Sequence, residues 1–269
     1  MRKTMLLAAV AGLALLARSG IDGTAAQTRT TLDIYVVDVE GGNATLFVAP
    51  SGESLLIDTG NVAPAAAVRD AERIMEAAKD AGLTHLDNLI TTHWHHDHFG
   101  GMPDVASRIP VRNFIDHGPN TQARNAIADD FIKKTYLSLY AEAKHTVVKA
   151  GDTIPMRGLD WRIVSAAGET IKTPLPGAGS PNPACATFTS QPISDDDENP
   201  QSVGSVITFG KFRMVGAPGR SDVEQRVCLD VPHQPDWSPG SVDCFPSRTG
   251  TIGLASTGGR DPTPSGDHE

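Results

Sequence analysis

Cysteine is scarce in this sequence. The 269 residues hold three, Cys185, Cys228 and Cys244, and an odd number leaves at least one unpaired within a monomer, so no disulfide framework can be assumed. Positive charge is also short. Lys and Arg number 23 against 32 Asp and Glu, a net charge of −9, which excludes the basic footprint that grips nucleic-acid phosphates tightly. Bound metal would add local positive charge outside that sum. Beyond the N-terminus no apolar run is long enough to span a bilayer. The apolar share, 39%, is modest but enough for a core, and the length suits one large domain with extensions.

The N-terminus has the three parts of a secretory signal. Arg2 and Lys3 are the basic start, residues 5–17 the apolar centre, and Thr24-Ala25-Ala26 a small-residue cleavage site before Gln27. Residues 1–26 are therefore expected to be a signal peptide. The mature chain is expected to be exported, periplasmic or extracellular, with no stable membrane insertion after cleavage.

Histidine is concentrated. Four of the nine lie in the stretch Thr91-Thr92-His93-Trp94-His95-His96-Asp97-His98-Phe99-Gly100-Gly101. The pattern His-x-His-x-Asp-His uses His93, His95, Asp97 and His98. Imidazole and carboxylate suit a borderline ion such as zinc, bound at about 2.0–2.2 Å, and other divalent metals fit the same donors. Alternate residues at a strand end share a face. Such a turn can aim His93 and His95 at one ion, and Asp97 and His98 at a second about 3.5–4 Å away. The apolar run 86–90 reads as the buried strand leading in, and Gly100-Gly101 as a tight exit.

Around the motif, residues 31–37, 44–48 and Ser54–Ile57 read as strands, the last ending at Asp58-Thr59-Gly60. Residues 64–81 read as a helix with the apolar stripe Val68, Ala71, Met75 and Ala78, stopped by Gly82. A strand over 86–92 follows, then one over 111–116 that ends at His117; no spacing rule makes His117 a ligand, and a structural role is expected. Residues 121–144 read as a second helix in which Tyr136 and Tyr140 belong either to the core or to a cleft. Short strands are expected over 146–148 and 161–164, and a hairpin over 203–209 and 212–215. This βαβ order favours a mixed sheet covered by helices. Between positions 172 and 200, six prolines break regular structure, and Asp195-Asp196-Asp197-Glu198 is expected to be a solvated loop.

The motif resembles that of the metallo-β-lactamase superfamily. The resemblance covers residues 32–215 and is similar in detail to the extracellular metallo-β-lactamase domain of ComEC-type competence proteins. It implies an α/β, four-layer αββα sandwich with one or two zinc ions at the sheet edge. It also implies that Asp58 supports the metal ligands from behind, and a catalytic role for Asp97 in orienting the nucleophile. The implied activity is hydrolysis of an ester or phosphodiester, in a small molecule or in nucleic acid, although the charge balance does not support nucleic acid. Alternatives are a lactonase- or β-lactamase-like hydrolase, or a non-catalytic metal-binding extracellular remnant. The oligomeric state is not legible.

The resemblance stops after residue 215. A Gly-Asp carrying a further ligand is expected there, and Gly216-Ala217-Pro218-Gly219 stands instead. Codons compatible with residues 218–227 and the first base of Cys228 can be read one base later as Leu-Gly-Asp-Leu-Thr-Trp-Asn-Lys-Glu-Phe. Residues 30–215 are thus expected to form the domain. Residues 216–269 are expected to be an atypical tail, disordered or frameshifted, that leaves the fold incomplete at its C-terminus.

Overall fold

The computed structural model describes residues 29–176 and 196–216, and the backbone of one strand, Gly250–Ala255. The expected signal peptide, the three cysteines and most of the tail lie outside the described residues.

Three strands open the chain: β1 Thr31–Val36, β2 Thr45–Val48 and β3 Ser54–Ile57, paired antiparallel in sequence order. Helix α1, Pro64–Asp80, starts on a proline whose missing N–H costs a first turn nothing. It ends at Gly82, whose φ of +67° suits glycine. It returns the chain to β4, Asn88–Ile90, parallel to β3. Two helices, α2 His96–Phe99 and α3 Met102–Arg108, carry it to β5, Asn113–Asp116. A third crossover runs through α4 Ala126–Phe131, a π-helical turn Ile132–Tyr136 and α5 Leu137–Leu139 to β6, Lys144–Val147. β4, β5 and β6 all pair in parallel. The second sheet comprises β7 Asp160–Ala166, β8 Glu169–Thr170, β9 Gly204–Phe209 and β10 Phe212–Gly216.

The first sheet has seven strands in the order β11-β1-β2-β3-β4-β5-β6, where β11 is Gly250–Ala255; the second has the order β10-β9-β7-β8. Side-chain alternation divides the core in two. Leu46, Leu56 and Leu89 point at Ala71 and Ile74 of α1 and at Phe99 and Met102. Phe47, Leu55 and Ile57 point the other way, at Trp161, Ile163 and Ile207 of the second sheet, with the Phe47 and Trp161 rings edge to face at 4.9 Å. Each such fully buried side chain contributes about 1.5–3 kcal/mol relative to exposure. Helices, sheet and sheet are three of the four expected layers; no helix among the described residues covers the outer face of the second sheet.

Several local readings change. The buried stripe of α1 is Ala67, Ala71, Ile74 and Ala78, and Val68 is exposed: alanines let the helix sit close to the sheet. The expected helix from 121 starts only after Asn125, whose side chain accepts from Ala128 N, because Thr121 is used elsewhere. Its expected end, Lys144, already belongs to β6. Tyr136 is core, at 2% exposure. Gly100 and Gly101 have ordinary helical or near-helical φ of −62° and −81°. They are needed for space: a Cβ on Gly100 would lie 2.0 Å from Val62 N, and one on Gly101 2.2 Å from Thr59 O. Finally, β11 comes from the stretch read as an irregular tail, and it pairs with β1 over six residues.

Candidate metal centre

The parallel strands β3, β4 and β5 end along one edge of the first sheet, and the candidate residues follow those ends. Asp58 follows β3, His93 lies three residues past β4, and His117 directly follows Asp116 at the end of β5. No helix among the described residues is long and apolar enough to cross a membrane.

Asp58 is fully buried and holds a left-handed φ of +59°, an uncommon conformation that a non-glycine residue keeps only when its surroundings fix it. They do so here. Thr92 N donates to Oδ1 at 2.8 Å, and the Thr92 hydroxyl lies 2.8 Å from Oδ2. Asn43 Nδ2 donates to Oδ2 at 3.3 Å, and His98 Nδ1 meets the same oxygen at 2.8 Å. A carboxylate only accepts, so His98 carries its proton on Nδ1 and leaves Nε2 a lone pair. This is the way outer carboxylates orient ligating imidazoles.

The same reasoning sets two more tautomers. Thr92 spends its single hydroxyl hydrogen on Asp58, so its oxygen accepts from His93 Nδ1, 3.2 Å away, and His93 Nε2 is a lone pair. His95 Nε2 lies 3.2 Å from the carbonyl oxygen of Gln122, whose amide nitrogen is turned toward Asp196 O. His95 therefore donates from Nε2, and its Nδ1 is a lone pair. The two lone-pair nitrogens, His93 Nε2 and His95 Nδ1, face each other at 3.0 Å. Nothing in the protein lies between them to make that contact favourable. Neighbouring donors on a tetrahedral zinc with bonds of about 2.0–2.1 Å are roughly 3.3 Å apart, so the pair fits a cation. His98 Nε2 lies 3.7 Å from Asp97 Oδ2, and the His93 and His98 rings are 4.1 Å apart. The four side chains read from the sequence are thus together, as two adjacent pairs. Among the described residues, no three donors already converge on one point.

Electrostatics favour that use for His93 but not for His98. Burial holds the His93 imidazole well below its usual range, helped by His98, His95 and His117, so it is neutral, as a ligand must be. Burial also pushes His98 down, but Asp58 and Asp97 outweigh it, and His98 lies above its usual value.

The structure adds residues that the sequence did not point to. His117 and Glu198 are buried side by side, Nε2 to Oε1 at 2.8 Å. Both Glu198 and its neighbour Asp197 belong to the acidic run expected to be solvated. Asp196 and Asp197 are half-buried, but Glu198 is fully buried, because Thr121 N and Oγ1 both donate to its Oε2. Burial pushes the Glu198 carboxyl up, yet His117 and Thr121 outweigh it and its pKa lies below the usual carboxylate value. Asp197 Oδ1 comes within 3.9 Å of His95 Nε2. No pattern in the sequence joins Gln122, Asp197 or Glu198 to the histidines; only the fold brings them there. On the opposite lip, Gly42 has a φ of +93°, and a Cβ there would stand 1.8 Å from Asp97 O. That loop is tied to α1, where Arg69 bonds Glu40 and Val39 O and Arg73 bonds Asp38 O and Glu40.

Comparison with known proteins bears on the family and the fold. The family model described as metallo-beta-lactamase superfamily matches residues 37–182, more than half of the chain. An atrochrysone carboxyl ACP thioesterase from Aspergillus terreus is 36% identical over 89 residues, 33% of this chain and 26% of that protein. A hydroxyacylglutathione hydrolase from Xanthomonas campestris is 26% identical over 123 residues, 46% of this chain and 37% of that protein. The chain thus spans between 26% and 37% of the length of these curated relatives. Among solved structures, the metallo-beta-lactamase fold protein YhfI from Bacillus subtilis is similar with a TM-score of 0.39 and 15% identity, over 70% of this chain and 61% of that one.

Proposed function

We propose, on the premise that this chain belongs to the metallo-β-lactamase superfamily, a family of metal-dependent hydrolases, that it is an exported zinc hydrolase of ester-type bonds. The facing lone pairs of His93 and His95, 3.0 Å apart, carry the reading. Zinc bound there would supply Lewis acidity and a nucleophile at neutral pH. The chain's own residues do the rest. Thr92 and Gln122 hold the imidazoles in the tautomers that present those lone pairs. Asp58 fixes His98. Asp97, a third exposed at the rim, accepts a hydrogen bond from the attacking water and orients it toward the substrate. Asp197, within 3.9 Å of His95, puts a carboxylate beside the site and favours a substrate without dense negative charge.

A thioester or carboxylic ester therefore ranks first, and the thioesterase and hydroxyacylglutathione hydrolase named above support it as relatives. A phosphodiester, the substrate class the ComEC-type likeness suggests, ranks second. The reading includes export through residues 1–26 and a shifted reading frame from residue 218. The test is zinc content of the purified mature chain beside hydrolysis of an acyl thioester and of bis-p-nitrophenyl phosphate. His95→Ala should lose metal while the β core stays folded, because His95 sits on an edge turn outside the packing. Unchanged zinc in His95→Ala would refute the ligand assignment, and faster turnover of the phosphodiester would reverse the ranking.

A further inference from the structure

We propose, building on the metal-dependent reading above, that His117 and Glu198 are the remaining donors for the ion held by His93 and His95. One cation site is then complete within the first 198 residues, without any ligand from the tail.

The placement comes from the fold. β4 and β5 are parallel neighbours, and Thr91 N bonds Ile115 O one step past their ladder, so His93 and His117 leave the sheet at the same edge. The backbone around His117 is clamped to the residue after His93. Trp94 Nε1 donates to Gly118 O and Gly118 N to Asp116 Oδ1, both at 2.7 Å. Glu198 arrives from the second sheet's side: Val203 N bonds Thr92 O at 2.8 Å, which ties its segment to the end of β4.

The chemistry comes from what the pair does not do. His117 Nε2 and Glu198 Oε1 are 2.8 Å apart with side chains 1% and 0% exposed; they meet as an ion-pair contact with angles outside those of a hydrogen bond, and neither atom has another partner. Buried polar atoms are nearly always well hydrogen-bonded, and a contact of poor angle leaves both short of a good partner, which is costly. Glu198 is held rigidly by its other oxygen through Thr121, so Oε1 is aimed, not adrift. With its proton on Nδ1, His117 would offer Nε2 beside Glu198 Oε1, a second pair of nitrogen and oxygen donors at the same sheet edge as His93 and His95. The His117 ring packs against Trp94, the residue after His93, with centroids 6.2 Å apart. Three imidazoles and one carboxylate form a donor set for zinc or a similar divalent ion. A plain buried ion pair that merely pins residue 198 to the end of β5 is the competing account.

Metal binding separates them in the full-length chain. Zinc affinity is measured by competition with a chelator, and coordination by the visible spectrum of the Co(II) form, for the wild type, His117→Gln, Glu198→Gln and His93→Ala. Each glutamine variant should weaken the tighter ion by at least about 100-fold, above the 10–100-fold typical of residues that only orient ligands, and should change the Co(II) bands. X-ray absorption of wild-type protein loaded with one equivalent of zinc should count three imidazoles; this readout stands even where a variant fails to fold. Affinities within about threefold of wild type in both glutamine variants, or two imidazoles in the absorption spectrum, overturn the assignment while leaving the hydrolase reading intact. Loss of melting temperature without loss of affinity identifies the plain ion pair and overturns it too. A wild type that binds no metal sinks both.

Discussion

At the scale of single residues, the site depends on one hydroxyl. Thr92 gives its hydrogen to Asp58 and takes one from His93, so it relays a carboxylate held behind the site into the tautomer of the proposed ligand in front of it. Thr92→Val keeps the shape and deletes that relay. Stability should fall by about 1–2 kcal/mol, the usual cost of a buried carboxylate losing a partner, and zinc affinity by roughly tenfold or more. A denaturant titration beside a zinc competition assay measures both, and undiminished affinity would show that the tautomer is set elsewhere. Gly42 acts on Asp97. With its φ of +93° and Asp97 O in the place of a Cβ, Gly42→Ala should move the loop, displace Asp97 and cost more than about 1 kcal/mol. The Co(II) spectrum and the melting temperature should both change. The histidines were legible in the sequence because their spacing is local. Gln122 and Glu198 were not, since they reach the cluster from 27 residues or more beyond His95 through contacts that only the folded chain makes.

At the scale of elements, periodicity located the strands and α1 to within a few residues and placed Ala71 and Ala78 correctly in the core, but set the stripe of α1 about one residue off at Val68. The expected stripe followed the larger residues, Val68 and Met75. The observed one follows Ala67, Ala71, Ile74 and Ala78, because closeness to the sheet decides and small residues permit it. The helix after β5 was legible as a helix, but its π turn and late start were not, because Thr121 is drawn to Glu198. The seam between β1 and α1 has a titratable link. Tyr35, 3% exposed, donates to Asp80 Oδ2 at 2.9 Å, and burial, then Asp80, pushes its pKa up to about 12. A phenol whose pKa is raised on folding contributes stability that is fully present below its unfolded value near 10. That contribution is lost as the pH climbs toward 12, because the unfolded chain then sheds a proton that the folded one keeps. The loss should reach about 2–3 kcal/mol by pH 12. Urea unfolding at pH 9 and pH 11 should show a steeper decline for the wild type than for Tyr35→Phe; parallel declines would mean that Tyr35 titrates normally in the fold.

At the scale of the whole molecule, the order of helices and strands made a mixed, helix-covered sheet legible, whereas the pairing of β11 with β1 was not. Nothing periodic marks residues 250–255, and a strand added at an edge is chosen by the partner it completes. That strand covers the edge of β1, but it brings no histidine or carboxylate of its own. The two halves of the centre therefore differ. The half built on His93 and His95 can be completed by His117 and Glu198. The half built on Asp97 and His98 has two donors, fewer than the three protein ligands that a catalytic zinc ordinarily keeps. The 269-residue chain should accordingly bind one ion firmly and a second weakly, and hydrolyse slowly. On the proposal that the frame is shifted from residue 218, a chain read one base later, with the downstream sequence that this opens, would carry a Gly-Asp after β10 and should recover the second ion and full turnover. Metal analysis and kinetics on the two chains decide the matter, together with resequencing of codons 210–230. Two tightly held ions and full activity in the chain as it stands would mean that residues 217–269 supply the missing donors and belong to the native enzyme.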